Sequence, residues 1–567
     1  MKKRLLAMLL AVMLLACLAT GCQSQPAANP TDAPAETGET ADQPQESAAD
    51  GEGEEAAPAK EHVTLEFIFP QNNPTNDWDL VMAEFERRTK DTLNVSLNCT
   101  LTGFDDIGQK VSLKLTSGQA IDSVFVAQWT SPSVNEMSLK GQLVVLDEYF
   151  NNDNYPGLQR AFDADLIEQN KFIGEDGEYH ITAIPFAHEF GGAGTYVYYR
   201  ADLAEKYGLG ELQNMDDLMN YFQVILDNEP GMTPFVSLGM DGFVDDAGNS
   251  VYTIPATEKH NWKINLQNAS YVIKPDGTAY VARNIIPMLD PEFVSYLPDG
   301  VYNAEDPIYN YHAARDWFEK GYVSKDVMNI TDHQGLFCNG KAAAFKRGID
   351  TYSGIDAQLK AGVPGAKLGV VDISPYKGME KQVGCTFQAW NFAGIPATSQ
   401  NVDRVMEFYN WLFEDDANHD LFEYGIEGKH WVDAGEGKYT PQTNPDTGKD
   451  YNFDGYVMTW SPSIRRFDTS SPDFVIDELK KGSDAKYFFK QADAGFSFNS
   501  EEIKAVDAKV TEVYSGLGGL INGSVSDIEG EIEKLNNRLQ KAGFEEWAAE
   551  YERQLNEYLK DHPYENQ

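Results

Sequence analysis

The sequence predicts an α/β body with a helical extension at its carboxyl end. Between Val63 and Ala127, apolar β-branched runs alternate with helical periods in the order strand, helix, strand, helix, strand, which implies a parallel sheet with right-handed crossovers. From about residue 495 to 562, apolar residues recur at intervals of three and four through three successive stretches. The body from Glu61 onward has roughly 500 residues, enough for two or three separate cores.

The chain ahead of that body has a different character. Lys2, Lys3 and Arg4 precede an apolar run from Leu5 to Leu18, which is shorter than the ~20 residues of a spanning helix. Residues 1–21 therefore predict a secretory signal, with cleavage before Cys22. The segment Ala19-Thr20-Gly21-Cys22 resembles the bacterial lipobox, whose cysteine carries lipid; Leu14-Leu15-Ala16-Cys17 is a rival placement. Gln23 to Lys60 contains no Val, Ile, Leu, Met or aromatic residue, so residues 22–60 are expected to be a lipidated cysteine followed by a disordered acidic linker. Such a coil spans ~35 Å.

Within the body, Val63–Phe69 predicts a buried strand that Pro70 stops. A polar loop, Gln71 to Asn76, leads into a helix with Val81, Phe85 and Leu80 facing inward. Leu93–Leu97 predicts the second strand, Ile107 to Thr116 a helix closed by Gly118, and Ile121 to Ala127 the third strand. In such sheets ligands sit outside the carboxyl ends of the strands, which brings Asn72, Asn73, Gln128 and Trp129 to the rim. Further on, Val402, Val405, Met406, Tyr409, Leu412 and Phe413 predict one face of a helix. Ser526-Asp-Ile-Glu529 predicts a capping box for the second tail helix, and Gly543 its end.

Composition excludes several classes. A formal net charge of −44 argues against nucleic acid as a partner, because phosphate contacts need clustered Lys and Arg. Apart from Cys22, Cys99, Cys338 and Cys385 follow the predicted cleavage point with no CxxC spacing, which predicts free thiols rather than a disulfide framework or a zinc site. The chain has no HExxH, GxSxG or P-loop.

The ordered segments Lys114-Leu-Thr-Ser-Gly-Gln-Ala-Ile-Asp122, Gly141-Gln-Leu-Val-Val-Leu-Asp147, Ile184-Pro-Phe186 and Tyr198-Tyr-Arg-Ala-Asp-Leu203 resemble the family 1 extracellular solute-binding proteins of ABC importers. Gly321-Tyr-Val-Ser-Lys-Asp326 and Phe337-Cys-Asn-Gly-Lys-Ala-Ala343 extend the resemblance. Tyr424-Gly-Ile-Glu-Gly-Lys-His-Trp431, Ala494-Gly-Phe-Ser-Phe498 and Lys541-Ala-Gly-Phe544 are similar to lipoprotein-type members with an extra C-terminal helical domain. The resemblance implies an α/β, two-lobed periplasmic-binding-protein-like fold (type II-like) with mixed sheets and a hinge between the lobes. It places lobe 1 at residues 61–187 plus 388–425, lobe 2 at 188–387, and a C-terminal region at 426–567 that packs on the lobes. Hinge crossings are expected near Pro185 to Gly194 and Cys385 to Ala393.

The implied function is that of a lipid-anchored receptor on the outer face of the cytoplasmic membrane. It would close on a carbohydrate, most simply an oligosaccharide, and deliver it as a monomer to a permease. A sugar needs flat aromatic platforms for its C–H faces and carboxylates or amides for its hydroxyls. Trp129, Phe190, Trp390 and Trp431 are the candidate platforms; His188, Glu189, Gln388, Asp350 and Glu427 are the candidate hydroxyl partners, with Arg347 and Tyr352 nearby in sequence and Asn73 and Gln128 on the rim where a ligand would lie. Asp450, Asn452, Asp454 and Gly455 match the first half of a calcium loop, but Ser461 stands where its bidentate Glu belongs, so no cofactor is expected and calcium is an alternative. No catalytic residue is expected; a secreted glycoside hydrolase, or a capture lipoprotein that feeds no importer, is the other course.

Overall fold

In the computed structural model the described residues are 60–71, 74–187, 189–190, 195–236, 261–266, 269–330, 332–374 and 383–564. Cys17, Cys22, the linker as far as residue 59, Asn72, Asn73, His188 and the glycine run 191–194 lie outside them.

The first lobe is built on five strands: β1 Val63–Pro70, β2 Val95–Thr102, β3 Ser123–Ala127, β4 Ala183–Phe186 and β5 Asn391–Gly394. Their spatial order is β2-β1-β3-β5-β4. β1 pairs in parallel with β2 and β3, as the alternation of elements predicts, while β5 runs antiparallel between β3 and β4. The pairing of Pro70 with Thr102 brings the carboxyl ends of β1 and β2 level. The helix Trp78–Thr89 buries Val81, Met82, Phe85 and Thr89 against this sheet. Leu80, expected to face inward, is 37% exposed, because the buried set advances along one helical stripe and residue 80 falls outside it. The helix Val402–Glu414 buries Val405, Met406, Phe408, Tyr409, Leu412 and Phe413 on the same core.

In the second lobe the strand Tyr196–Arg200 lies between Ala344–Lys346 and Leu368–Asp372, antiparallel to both. The helix Met215–Asn228 covers it with Leu218, Tyr221, Phe222 and Ile225.

A third core changes the expected boundaries. Residues 262–311, assigned above to lobe 2, pack their hairpin strands Trp262–Lys263, Tyr271–Ile273 and Ala279–Val281 with the tail helices Lys504–Tyr514, Ile528–Ala542 and Phe544–Asp561. The helix Tyr309–Lys320 is shared: Tyr311 enters this core and Trp317 that of the second lobe. Conversely, Val457, Met458 and Ile464 of the C-terminal region complete the first-lobe core. The tail helices bury the predicted stripes, with Phe544, Trp547 and Tyr551 stacked in series at 5.7 and 5.5 Å; each fully buried large side chain contributes about 1.5–3 kcal/mol.

The capping box at Ser526 does not form. Asp527 caps the helix instead, accepting from the Gly530 amide, since an acidic side chain one residue later reaches the same free amides. Gly543 ends that helix as predicted, at φ 97°, where a Cβ would also stand 3.0 Å from Val506. Cys99, Cys338 and Cys385 are free thiols. No helix among the described residues is long and apolar enough to cross a membrane.

Candidate functional site

Among the described residues, three stretches of chain link the first-lobe core with the second. The first passage runs from Phe186 to Tyr196 and the second from Ile373 to Ala389. The third, which the sequence did not reveal, runs from Ile464 to Val475, where the helix Asp473–Gly482 lays Val475 and Leu479 on Tyr196 and Ile349. These passages are bonded to one another. The Phe190 amide donates to the Gly482 carbonyl at 2.9 Å, and the Cys385 thiol donates to the Phe190 carbonyl at 2.7 Å. The Phe190 ring packs on Phe387 at 4.9 Å and on Phe488 at 6.3 Å. Phe387 has φ 56°, a conformation that costs a non-glycine residue about 1–3 kcal/mol. Asn170 holds it there, donating to the Phe387 carbonyl and accepting from the Ala389 amide. Phe190 is therefore occupied in the hinge and offers no free platform.

An acidic pair with two arginines sits at these crossings. Glu189 on the first passage meets Arg465 on the third, Oε2 to Nη1 3.2 Å. Burial pushes the Glu189 carboxyl up to about 7, the neighbouring Asp350 adds to the rise, and Arg465 offsets only part of it. Asp350 stands on the turn Ile349–Thr351 of the second lobe. Its surface is exposed, yet protein surrounds the carboxyl closely enough that desolvation raises it too, against the pull of Arg347 and Arg465. Tyr352 beside it is half-buried, edge-on to Phe474 at 5.9 Å, and its ring serves packing.

Two indoles are left bare where the first-lobe strands end. Trp129, just past β3, is 55% exposed, and Trp390, just before β5, is 79% exposed. The residues beside them are joined: Gln128 Nε2 donates to Gln388 Oε1 at 3.3 Å. Trp129 leans on Phe104 at 6.0 Å, Phe104 on Tyr456 at 5.8 Å, and Tyr456 on Trp460 at 5.5 Å. Phe104, Tyr456, Trp460 and Arg465 were missed by the sequence reading. Phe104 follows β2 by two residues, so the strand-end rule could have found it; the other three come from a segment more than 300 residues away.

Trp431 is corrected. It is 4% exposed, its indole N–H donates to the Gly425 carbonyl at 2.9 Å, and the Arg466 guanidinium covers its face at 5.1 Å. A cavity of about 200 Å³ beside it is lined by Asp420, Asp433 and Glu427 among others, but Asp420 and Asp433 are already paired with Arg466. The calcium-like loop is likewise engaged in protein bonds. Asn452 accepts from the Asn76 amide, Asp450 accepts from the Thr443 hydroxyl, and Asp454 bonds the Tyr456 hydroxyl. No group of three His, Cys, Asp or Glu among the described residues converges as a metal site.

This two-lobed arrangement, with a bonded hinge beside strand ends that carry bare aromatics and amides, is that of a ligand-capturing receptor. Residues 72–419 match the bacterial extracellular solute-binding proteins over more than half of the chain, and the protein belongs to that family. Residues 493–560 match a second family, a domain of unknown function (DUF3502). A carbohydrate ABC transporter substrate-binding protein of Streptococcus pneumoniae is 23% identical over 90% of this chain and 94% of its own. Among solved structures, the N-glycan transport solute-binding protein NgtS of S. pneumoniae superposes with a TM-score of 0.63 at 18% identity, covering 88% of this chain and 99% of NgtS. Its complex with Man5GlcNAc gives 0.59 at 19% identity, with coverage of 88% and 100%. A human-milk-oligosaccharide-binding relative from Bifidobacterium longum infantis gives 0.57 at 13% identity, with coverage of 88% and 99%.

Proposed function

We propose that the protein is a lipid-anchored receptor that captures an oligosaccharide between its lobes and passes it, as a monomer, to the permease of an ABC importer. The observation that carries this is the row Trp129, Phe104, Tyr456 and Trp460 at the strand ends, with the bare Trp390 joined to it through Gln388 and Gln128. Successive rings of that kind suit the C–H faces of linked sugars, and the two amides with Glu189 and Asp350 suit their hydroxyls. The relatives' carbohydrate ligands support the same class. Cys22 is the anchor in this proposal, and no bound ion is required.

The test is a thermal-melting screen against Man5GlcNAc, other high-mannose glycans, maltodextrins and fructans, followed by calorimetry on any that shift the melt. A saturable shift without product supports a receptor, product formation would make it a hydrolase, and silence across the panel sinks the carbohydrate class. A calcium titration followed by the same melt tests the ion-free reading, which a saturable shift would overturn.

A further inference from the structure

The stretch between the two family matches, residues 420–492, holds the best-built contact with the ligand-facing rim. Asn452 is exposed, and both ends of its amide are spent on the backbone of the loop after β1. Its Oδ1 accepts from the Asn76 amide at 2.7 Å and its Nδ2 donates to the Pro74 carbonyl at 3.2 Å. The Asn76 side chain returns a bond to the Asp450 carbonyl at 2.9 Å. Next along, Phe453 stacks on Trp78 at 5.3 Å and 19°. Asp77, at φ 56°, is gripped by the Thr447 hydroxyl at 2.6 Å and the Asn444 amide at 2.7 Å.

The same segment then turns through Gly455–Val457 to present Tyr456 to Phe104. That turn is anchored from below: the Glu423 carboxylate passes so close to Gly455 that any Cβ there would overlap it, and the Thr459 hydroxyl also donates to Glu423. One rigid piece therefore fixes two neighbouring strand-end loops, the one after β1 and the one after β2.

We propose that Asn452 is a positioning residue of the receptor site: it sets the loop Pro74–Asp77 against the aromatic row, and so governs how well and which saccharides fit. The inference rests on the carbohydrate reading above. Exposed hydrogen bonds contribute little to global stability but fix geometry, so loss of Asn452 should be felt in binding before folding.

The experiment compares full-length Asn452→Ala, Asn452→Asp and Leu555→Ala by calorimetry with a high-mannose oligosaccharide that shifts the wild-type melt, alongside their melting temperatures. Leu555 is fully buried in the tail core, which does not share a residue with the first-lobe core, and serves as a control for destabilisation alone. Asn452→Ala is expected to weaken binding about tenfold with little change in melting. Asn452→Asp keeps an acceptor for the Asn76 amide but turns a carboxylate oxygen toward the Pro74 carbonyl, so it should recover only part of the affinity, while Leu555→Ala melts lower with affinity intact. Unchanged affinity in Asn452→Ala, or equal losses in Asn452→Ala and Leu555→Ala, overturns the inference alone. A wild-type protein that binds no glycan overturns the receptor reading and this inference with it.

Discussion

Glu189→Gln should make the protein more stable at alkaline pH and worse at its task. The wild-type carboxyl is raised from 4.5 to about 7, first by burial and then by Asp350, with Arg465 in partial opposition. A carboxyl raised in the folded state binds more protons there than in the unfolded chain, so stability falls as pH climbs from about 4.5 through 7. At about 1.4 kcal/mol per pKa unit the full effect at pH 8 is about 3 kcal/mol. The side chain is 25% exposed, so solvent screening brings the expected gain in Glu189→Gln to about 2 kcal/mol. Chemical unfolding of both proteins at pH 4 and pH 8 reads this directly: the variant should match wild type at pH 4 and exceed it at pH 8. Equal stability at pH 8, or a gain that persists at pH 4, would refute the reasoning. A charge held at such cost beside a hinge points to use in binding, so oligosaccharide affinity should drop severalfold in the same variant.

Trp390→Ala should weaken oligosaccharide binding at least tenfold while leaving the melt unchanged, because the indole is bare; calorimetry showing wild-type affinity removes it from the site. Trp431→Ala should do the opposite, costing about 3–5 kcal/mol of stability as a buried aromatic truncation with affinity retained, and a binding defect in a variant that melts normally would reverse its assignment. Cys22→Ser should release the protein from cells into the medium with sugar affinity intact. Retention of that variant on the cell would move the anchor to Cys17 or to a partner protein.

Much of the fold was legible because local pattern and tertiary role agree along the first lobe. The run Val63–Phe69 alternates apolar and polar at its start and is apolar on successive residues from Phe67 to Phe69, where both faces are covered, and the stripe from Val405 to Phe413 has one possible inward side. Boundaries between cores were not legible, since the hairpin Tyr271–Val281 has the same composition whether it pairs with lobe 2 or covers the tail helices. Trp129 could be brought to the rim because strand ends have a fixed address in parallel sheets, and Trp390 because it falls within an expected hinge crossing. Trp431 could not, since an indole reads alike in a core and on a rim, and only its bond to Gly425 and the covering Arg466 separate the cases. Arg465 carried no signal of its own and gains meaning from a third crossing; Asn452 drew notice only as part of a calcium-like loop, whereas its side chain bonds the loop that ends at Asp77.

The place of β5 has a consequence for how the protein is made. It sits between β3 and β4, so the central sheet stays split until residues 391–394 have been synthesised. A sheet completed from such distant parts folds late and slowly. For a member of an extracellular family, such a delay would suit export, since a chain whose central sheet is still open remains threadable through a channel.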